Sequence, residues 1–88
     1  MKKDLKKLLK DDLAGKILVF FYQNQASVDS VGGVSTWVND DRKKVLAVLD
    51  ELVRLGVLDE DSTGAIKGYC YTRDKKVMKT VEELVQDV

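Results

Sequence analysis

Residues 40–58, DDRKKVLAVLDELVRLGVL, combine a strong helical pattern with an abrupt change of period. The apolar residues from Val45 to Val53 recur at helical spacing, which predicts an amphipathic helix over 42–55. Gly56 stands just beyond the last turn, where a left-handed glycine commonly ends a helix. The residues after this glycine change to a strand-like pattern. The stretch therefore predicts a helix that joins directly to a strand.

Downstream of this join, two short runs at 57–61 and 66–72 surround a turn that contains Gly64. Such runs predict a two-stranded β-hairpin. Alternation along the second run predicts that Cys70 points away from its two tyrosine neighbours, and we assign this cysteine no role. Asp74 then caps a last helix. Its apolar face carries Val77, Met78, Val81, Leu84, Val85 and Val88.

Upstream, the pattern predicts a leading helix over 3–11 and a first core helix over 13–24, separated by an Asp11–Asp12 cap. One bent continuous helix is the alternative. After a polar break at 24–27, Asp29 or Ser30 is expected to cap a short helix. One face of that helix carries Val31, Val34, Trp37 and Val38.

Three large aromatic side chains, Phe20, Phe21 and Trp37, are interpreted as core residues. The apolar stripe of the last helix has two interpretations. Its spacing suits packing within one chain, and it equally suits a two-helix seam between subunits. The same two alternatives apply to the three leucines of the leading helix.

The predicted order of elements is three core helices, a hairpin and a final helix, with an extra helix in front. In this order the stretch 13–72 resembles the winged helix-turn-helix superfamily. The resemblance rests on LAGKILVFFYQN, VDSVGGVSTWVN, DDRKKVLAVLDELVRLGVLDED and IKGYCYT, and LDELVRLGVL is its most specific part. It implies an α+β fold with one domain over 1–88. Within it we expect a leading helix (1–12), a winged-helix core (13–72) and a C-terminal helix (73–88).

Composition narrows the classes of function. The 88 residues include no histidine and a single cysteine, Cys70. An internal disulfide and a thiolate metal cluster are therefore excluded, and the commonest general base is absent. We expect a chain that is not an enzyme and that needs neither a metal ion nor another cofactor. No apolar run approaches the roughly 18 residues that span a bilayer. We therefore expect a soluble cytoplasmic protein that does not enter a membrane.

The resemblance implies that the third core helix enters the major groove of double-stranded DNA. Lys43 and Lys44 are then the leading candidates for groove or phosphate contacts, with Arg42 and Arg54 assisting. The leading hypothesis is a small DNA-binding transcriptional regulator, acting as a homodimer. The lysine-rich segment at the N-terminus could add phosphate contacts, or it could simply be a solvated helix.

Other features favour an alternative. The formal net charge is zero, and the hairpin begins with Asp59, Glu60 and Asp61, which would repel phosphates. On the third core helix, Asp40 with Lys44 and Asp50 with Arg54 have the spacing of acid-first ion pairs. Such pairs occur on any solvated helix. The alternative is a winged helix that serves as a protein-interaction module and does not bind DNA.

Overall fold

The computed structural model describes residues 2–86. The predicted order of elements is confirmed in this part of the chain, and one strand is added to it. The elements are α1 (Lys2–Leu8), α2 (Asp12–Gln23), β1 (Val28–Ser30), α3 (Val31–Val38), α4 (Arg42–Arg54), β2 (Leu58–Asp61), β3 (Gly68–Tyr71) and α5 (Lys75–Val85).

Side-chain caps determine where four of the helices begin. The residues before α2, α3, α4 and α5 have extended backbone, and each side chain accepts a hydrogen bond from a backbone N–H of the first helical turn. These caps are Asp11, Ser30, Asp41 and Asp74. The cap at Asp11 separates α1 from α2, so the alternative of one continuous helix is wrong. Of the two predicted caps for α3, Ser30 is the one used.

The join at the end of α4 has the predicted geometry. Gly56 has φ +81°, the left-handed conformation that other residues rarely adopt. The backbone N–H of Val57 donates to the carbonyl of Leu52 at 2.9 Å, which closes the last turn. The chain then enters β2 at Leu58. This turn brings the strand back alongside the helix that precedes it.

The sheet has three antiparallel strands in the order β1-β3-β2, so the prediction of an isolated two-stranded hairpin was incomplete. β1 pairs with β3, with Val28 opposite Cys70 and Ser30 opposite Gly68. The Val28 side chain covers Gly68 so closely that a Cβ there would lie 2.6 Å from Val28 Cγ1. β1 has only three residues, two of them polar. Its pairing with a distant strand therefore left no local pattern in the sequence.

One apolar core lies between the helices and the inner face of the sheet. Leu49 and Leu52 of α4 are fully buried, and Phe20 and Phe21 are buried as predicted. The flanking helices contribute to the same core. The buried residues they supply are Leu5 from α1 and Val81 and Leu84 from α5. Val81 and Leu84 of the α5 stripe thus pack within the chain, and Val77, Met78 and Val85 are half-buried at the edge of the core. Val88, which was assigned to the stripe, lies outside the described residues.

Trp37 is not a core residue, and the interpretation of it as one was wrong. Its side chain is 65% exposed, although its ring centroid lies 4.9 Å from that of Phe20. The residue lies in the last turn of α3, and Val34, one turn earlier, fills the buried position of the same stripe. The Trp37 ring therefore contacts Phe20 at the edge of the core, and most of its surface is exposed to solvent.

Candidate nucleic-acid interface

The first turn of α4 carries three consecutive exposed cations, Arg42, Lys43 and Lys44. The guanidinium of Arg42 lies over Gly32 at the start of α3, where a Cβ would be 3.6 Å from Arg42 Nη2. An open groove runs here between the beginnings of α3 and α4, and Ile66 of the β2–β3 hairpin borders its far side. The start of α4 therefore faces the start of α3, and both lie near the hairpin.

Lys44 lies on a different side of α4 from Arg42. It borders a shallow groove between α4 and the α1–α2 corner. Four carboxylates border this groove: Asp11, Asp12, Asp40 and Glu51. None of the ion pairs within residues 2–86 involves Lys44, so the predicted pairing with Asp40 is not formed. Its charge is nevertheless surrounded by acids.

Arg54 lies at the other end of α4, about 18 Å along the helix axis from Arg42 at 1.5 Å per residue. Its guanidinium is paired with Glu51, and the Nε–Oε1 distance is 3.0 Å. This pair raises the pKa of Arg54 and lowers that of Glu51. The predicted pairing with Asp50 was wrong, because the Asp50 carboxylate turns toward the sheet. There it accepts a hydrogen bond from the Tyr69 hydroxyl at 3.4 Å.

Two of the three acids in the β2–β3 hairpin have partners within the hairpin. Glu60 forms an ion pair with Lys67 at 3.0 Å. Asp61 accepts hydrogen bonds from the Thr63 backbone N–H at 3.0 Å and from the Thr63 hydroxyl at 2.6 Å. The Thr63 side-chain and backbone donors lower the pKa of Asp61. Glu60 thus joins the two sides of the hairpin, and Asp61 stabilises its turn. The sequence showed the acids but not these partners.

Sequence reasoning also missed two exposed apolar side chains beside the cations. Leu46 is 39% exposed on α4, one turn after Arg42, and it belonged to neither predicted face of the helix. Ile66 is 73% exposed in the loop of the hairpin. The exposure of Leu46 could not be predicted, because the helical period places this residue at the boundary between the buried and the exposed face.

The lysine-rich helix α1 packs beside α4. Leu8 of α1 and Val48 of α4 border the same groove, and Leu5 is buried in the core. Lys2 is paired with Glu83 of α5 at 3.1 Å. The remaining lysines of the segment are exposed: Lys3, Lys6, Lys7 and Lys10. Together with Asp4 they border one shallow, mainly basic surface of α1.

Within residues 2–86, no helix is long and apolar enough to cross a membrane. The same part of the chain brings together no three histidine, cysteine or acidic side chains in an arrangement suited to a metal ion.

No known family profile and no curated protein matches the chain. Three solved structures resemble it closely in shape. TubR from Bacillus thuringiensis serovar israelensis pBtoxis, bound to 24 bp of tubC, has a TM-score of 0.76 at 20% identity, over 98% of this chain and 92% of TubR. The chain has a winged helix-turn-helix fold. In this winged helix, α3 and α4 form the helix-turn-helix and the β2–β3 hairpin is the wing, as the sequence predicted.

The other two structures are variants of MepR from S. aureus. One, bound to an oligodeoxyribonucleotide, has a TM-score of 0.68 at 16% identity, over 99% of this winged helix and 69% of MepR. The second variant comes from a multidrug-resistant clinical isolate. It has a TM-score of 0.69 at 19% identity, over 94% of this chain and 64% of MepR. The winged helix thus spans about two thirds of MepR.

Proposed function

We propose that this protein is a DNA-binding transcriptional regulator that inserts the N-terminal half of α4 into the major groove. The observation that carries the proposal is the exposed pair Arg42 and Lys43 where α4 begins, with Arg42 facing the start of α3. The structures of TubR and of one MepR variant contain DNA, which supports the same use of the fold here. In helix-turn-helix proteins the second helix reads base edges with its N-terminal residues.

The beginning of α4 carries more basic than acidic side chains: Arg42, Lys43 and Lys44 against Asp40 and the cap Asp41. The helix dipole adds partial positive charge at this end. None of the three cations takes part in an ion pair within residues 2–86. The exposed lysines of α1 are a second group of cations. We propose that they contact phosphates next to the groove, together with Lys44 and Arg54.

Charge reversal at the start of α4 tests the proposal. Arg42 and Lys43 occupy the first two positions of a helix capped by Asp41, so Arg42→Glu/Lys43→Glu places acids where they favour helix formation. Lys75 and Lys76 occupy the same two positions of α5, which is capped by Asp74. The variant Lys75→Glu/Lys76→Glu is therefore a control matched in charge change and in helix position.

The measurement is fluorescence anisotropy with duplex DNA at about 50 mM salt and micromolar protein, where non-specific binding is detectable. We expect the unaltered protein and the α5 control to bind, and the α4 variant to lose binding while it keeps its melting temperature. Equal losses in both variants would show a general charge effect. No binding of any duplex by the unaltered protein would contradict the function itself.

Further parts of the proposal concern the chain as a whole. We propose one winged-helix domain over residues 1–88 that works without catalysis and resides in the cytoplasm, with access to DNA.

We also propose a homodimer, because the half-buried Val77, Met78 and Val85 leave apolar surface along α5. A dimer would place two α4 helices on half-sites about one helical turn, 34–36 Å, apart. Sedimentation velocity at micromolar concentration tests this.

The second candidate is a protein-interaction module, and the exposed Trp37 favours it. Trp37 and Phe20 border an apolar groove together with Leu9, Val19 and Val38. Aromatic residues in such surroundings are enriched at protein interfaces. Trp37 is the single tryptophan, so its emission reports whether this groove is covered. A shift to shorter wavelength as protein concentration rises would show that a second copy covers it.

A further inference from the structure

Leu46 is the one large apolar side chain of α4 that is substantially exposed, at 39%. Four other apolar residues of the helix are buried: Val45, Val48, Leu49 and Leu52. Leu46 lies one turn after Arg42 and one turn before Asp50, next to the exposed Ala47. Halfway along α4, at the edge of its exposed face, Leu46 and Ala47 therefore form an apolar patch that follows the cations of the first turn.

The neighbouring groups leave this patch accessible. The Asp50 carboxylate is directed toward Tyr69 of the sheet, and Ala47 is too small to cover its neighbour. Exposed apolar surface beside Arg42 and Lys43 suits a binding partner with anionic groups at its edges and an apolar group between them. The major groove of DNA has this character. Phosphates line its edges, and the C5-methyl of thymine is the apolar group on its floor.

We propose that Leu46 and Ala47 contact the methyl groups of thymines, so that the protein prefers duplexes with thymine beneath the middle of α4. Lys43, one turn before Ala47, then donates to a neighbouring base edge or phosphate. This inference rests on the proposed DNA-binding function, and it names the base that the helix reads. It also explains why the exposed residues halfway along α4, Leu46 and Ala47, are aliphatic and carry no amide or guanidinium group.

The test begins by selecting bound sequences from a pool of random duplexes. Each thymine of the selected site is then replaced in turn by uracil, which differs only by lacking the methyl group. We expect one or two of these replacements to weaken binding about fourfold, the value for one buried methyl-sized group. Uracil at the flanking positions should change nothing. At the thymine that Leu46 contacts, the Leu46→Ala protein should bind the thymine and uracil duplexes equally, while a thymine contacted by Ala47 should keep its effect.

Lys43→Ala serves as the matched control, because it should weaken binding to thymine and uracil duplexes by the same factor. Melting temperatures verify that both variants are folded. Equal affinity of the unaltered protein for thymine and uracil duplexes, or a selected site without thymine, would overturn the inference and leave the DNA-binding function standing. No selection of any duplex would instead mean that the proposed function itself has failed.

Discussion

Helix α4 and the β2–β3 hairpin lie side by side, and each has a buried and an exposed face. They differ in whether the charged side chains of the exposed face are paired. Each has an inner face in the core, with Leu49 on the helix and Tyr71 on the hairpin, and an outer face of charged residues. On the hairpin, Glu60 is paired with Lys67 and Asp61 is bound to Thr63. The cations at the start of α4 have no such partner among residues 2–86.

The difference shows that the net charge of a chain says little about one of its surfaces. The formal charge of zero and the acidic hairpin both argue against a polyanionic partner when the sequence is considered alone. In the folded chain, two of the hairpin acids serve to hold the hairpin together, whereas Arg42 and Lys43 are left exposed. Four predictions, one for each face of the two elements, test this contrast.

The inner face of α4 should show the largest effect. Leu49 is fully buried, so Leu49→Ala should lower the free energy of unfolding by about 2–5 kcal/mol. Leu46→Ala makes the same chemical change on the exposed side of the same helix and should cost less than about 1 kcal/mol. Urea denaturation measures both. Equal losses in the two variants would mean that the two faces are not distinguished as the structure shows.

The outer faces should differ in their contribution to DNA binding. Each neutralised phosphate contributes about 0.9 to the slope of log affinity against log salt concentration. Replacing Arg42 and Lys43 with glutamine should therefore reduce the slope by about two units. Lys67→Gln, on the hairpin, should leave it nearly unchanged because Lys67 is already paired with Glu60. A larger change for Lys67 than for the α4 pair would reverse the comparison.

The inner face of the hairpin should respond to alkaline pH. Burial raises the pKa of Tyr71 to about 12, and its hydroxyl has no hydrogen-bond partner within residues 2–86. Because the pKa in the unfolded chain is about 10, the stability that Tyr71 contributes is complete below that pH. It is lost as the pH rises toward 12. Tyr71→Phe should therefore unfold at a higher pH than the unaltered protein. An unchanged alkaline midpoint would contradict this account.

The outer face of the hairpin should show the smallest effect, at acidic pH. Hydrogen bonds from Thr63 lower the pKa of Asp61, so its contribution to stability is present above the unfolded value of about 3.9. That contribution disappears as the pH falls through the lower folded value. Melting temperatures of the unaltered protein and Asp61→Asn should therefore converge in acid and differ slightly near neutral pH. If the difference between the two melting temperatures grew in acid, the hydrogen bonds from Thr63 would not stabilise the Asp61 carboxylate.

Features that depend on neighbouring residues were the ones that the sequence predicted well. Asp11 and Asp74 cap helices because an aspartate side chain reaches the N–H groups two or three residues ahead. Gly56 ends α4 because it adopts a left-handed backbone without strain. The apolar stripe containing Leu49 and Leu52 follows from the helical period. All of these depend on residues within about one or two turns.

The candidate site was predicted only in part. The sequence selected α4 and its cations, but it gave Lys43 and Lys44 the same weight. The structure places Lys44 in a groove bordered by carboxylates from the α1–α2 corner, about 30 residues away in the chain. Arg54 pairs with Glu51 and not with Asp50, because the Asp50 carboxylate accepts a hydrogen bond from the Tyr69 hydroxyl. The surroundings of Lys44 have no signal in the helix itself, whereas the Glu51–Arg54 pair has the i,i+3 spacing that helices favour.

The sequence by itself determined the order of the helices, their caps, the turn from α4 into the hairpin and the side of α4 that is buried. The reason is that helical period and capping hydrogen bonds act over a few residues. Only the tertiary structure decided that β1 joins the sheet, that Trp37 lies on the surface and that Lys44 borders carboxylates of the α1–α2 corner. These depend on contacts between segments far apart in the chain, whose free energy is gained only when the whole core assembles.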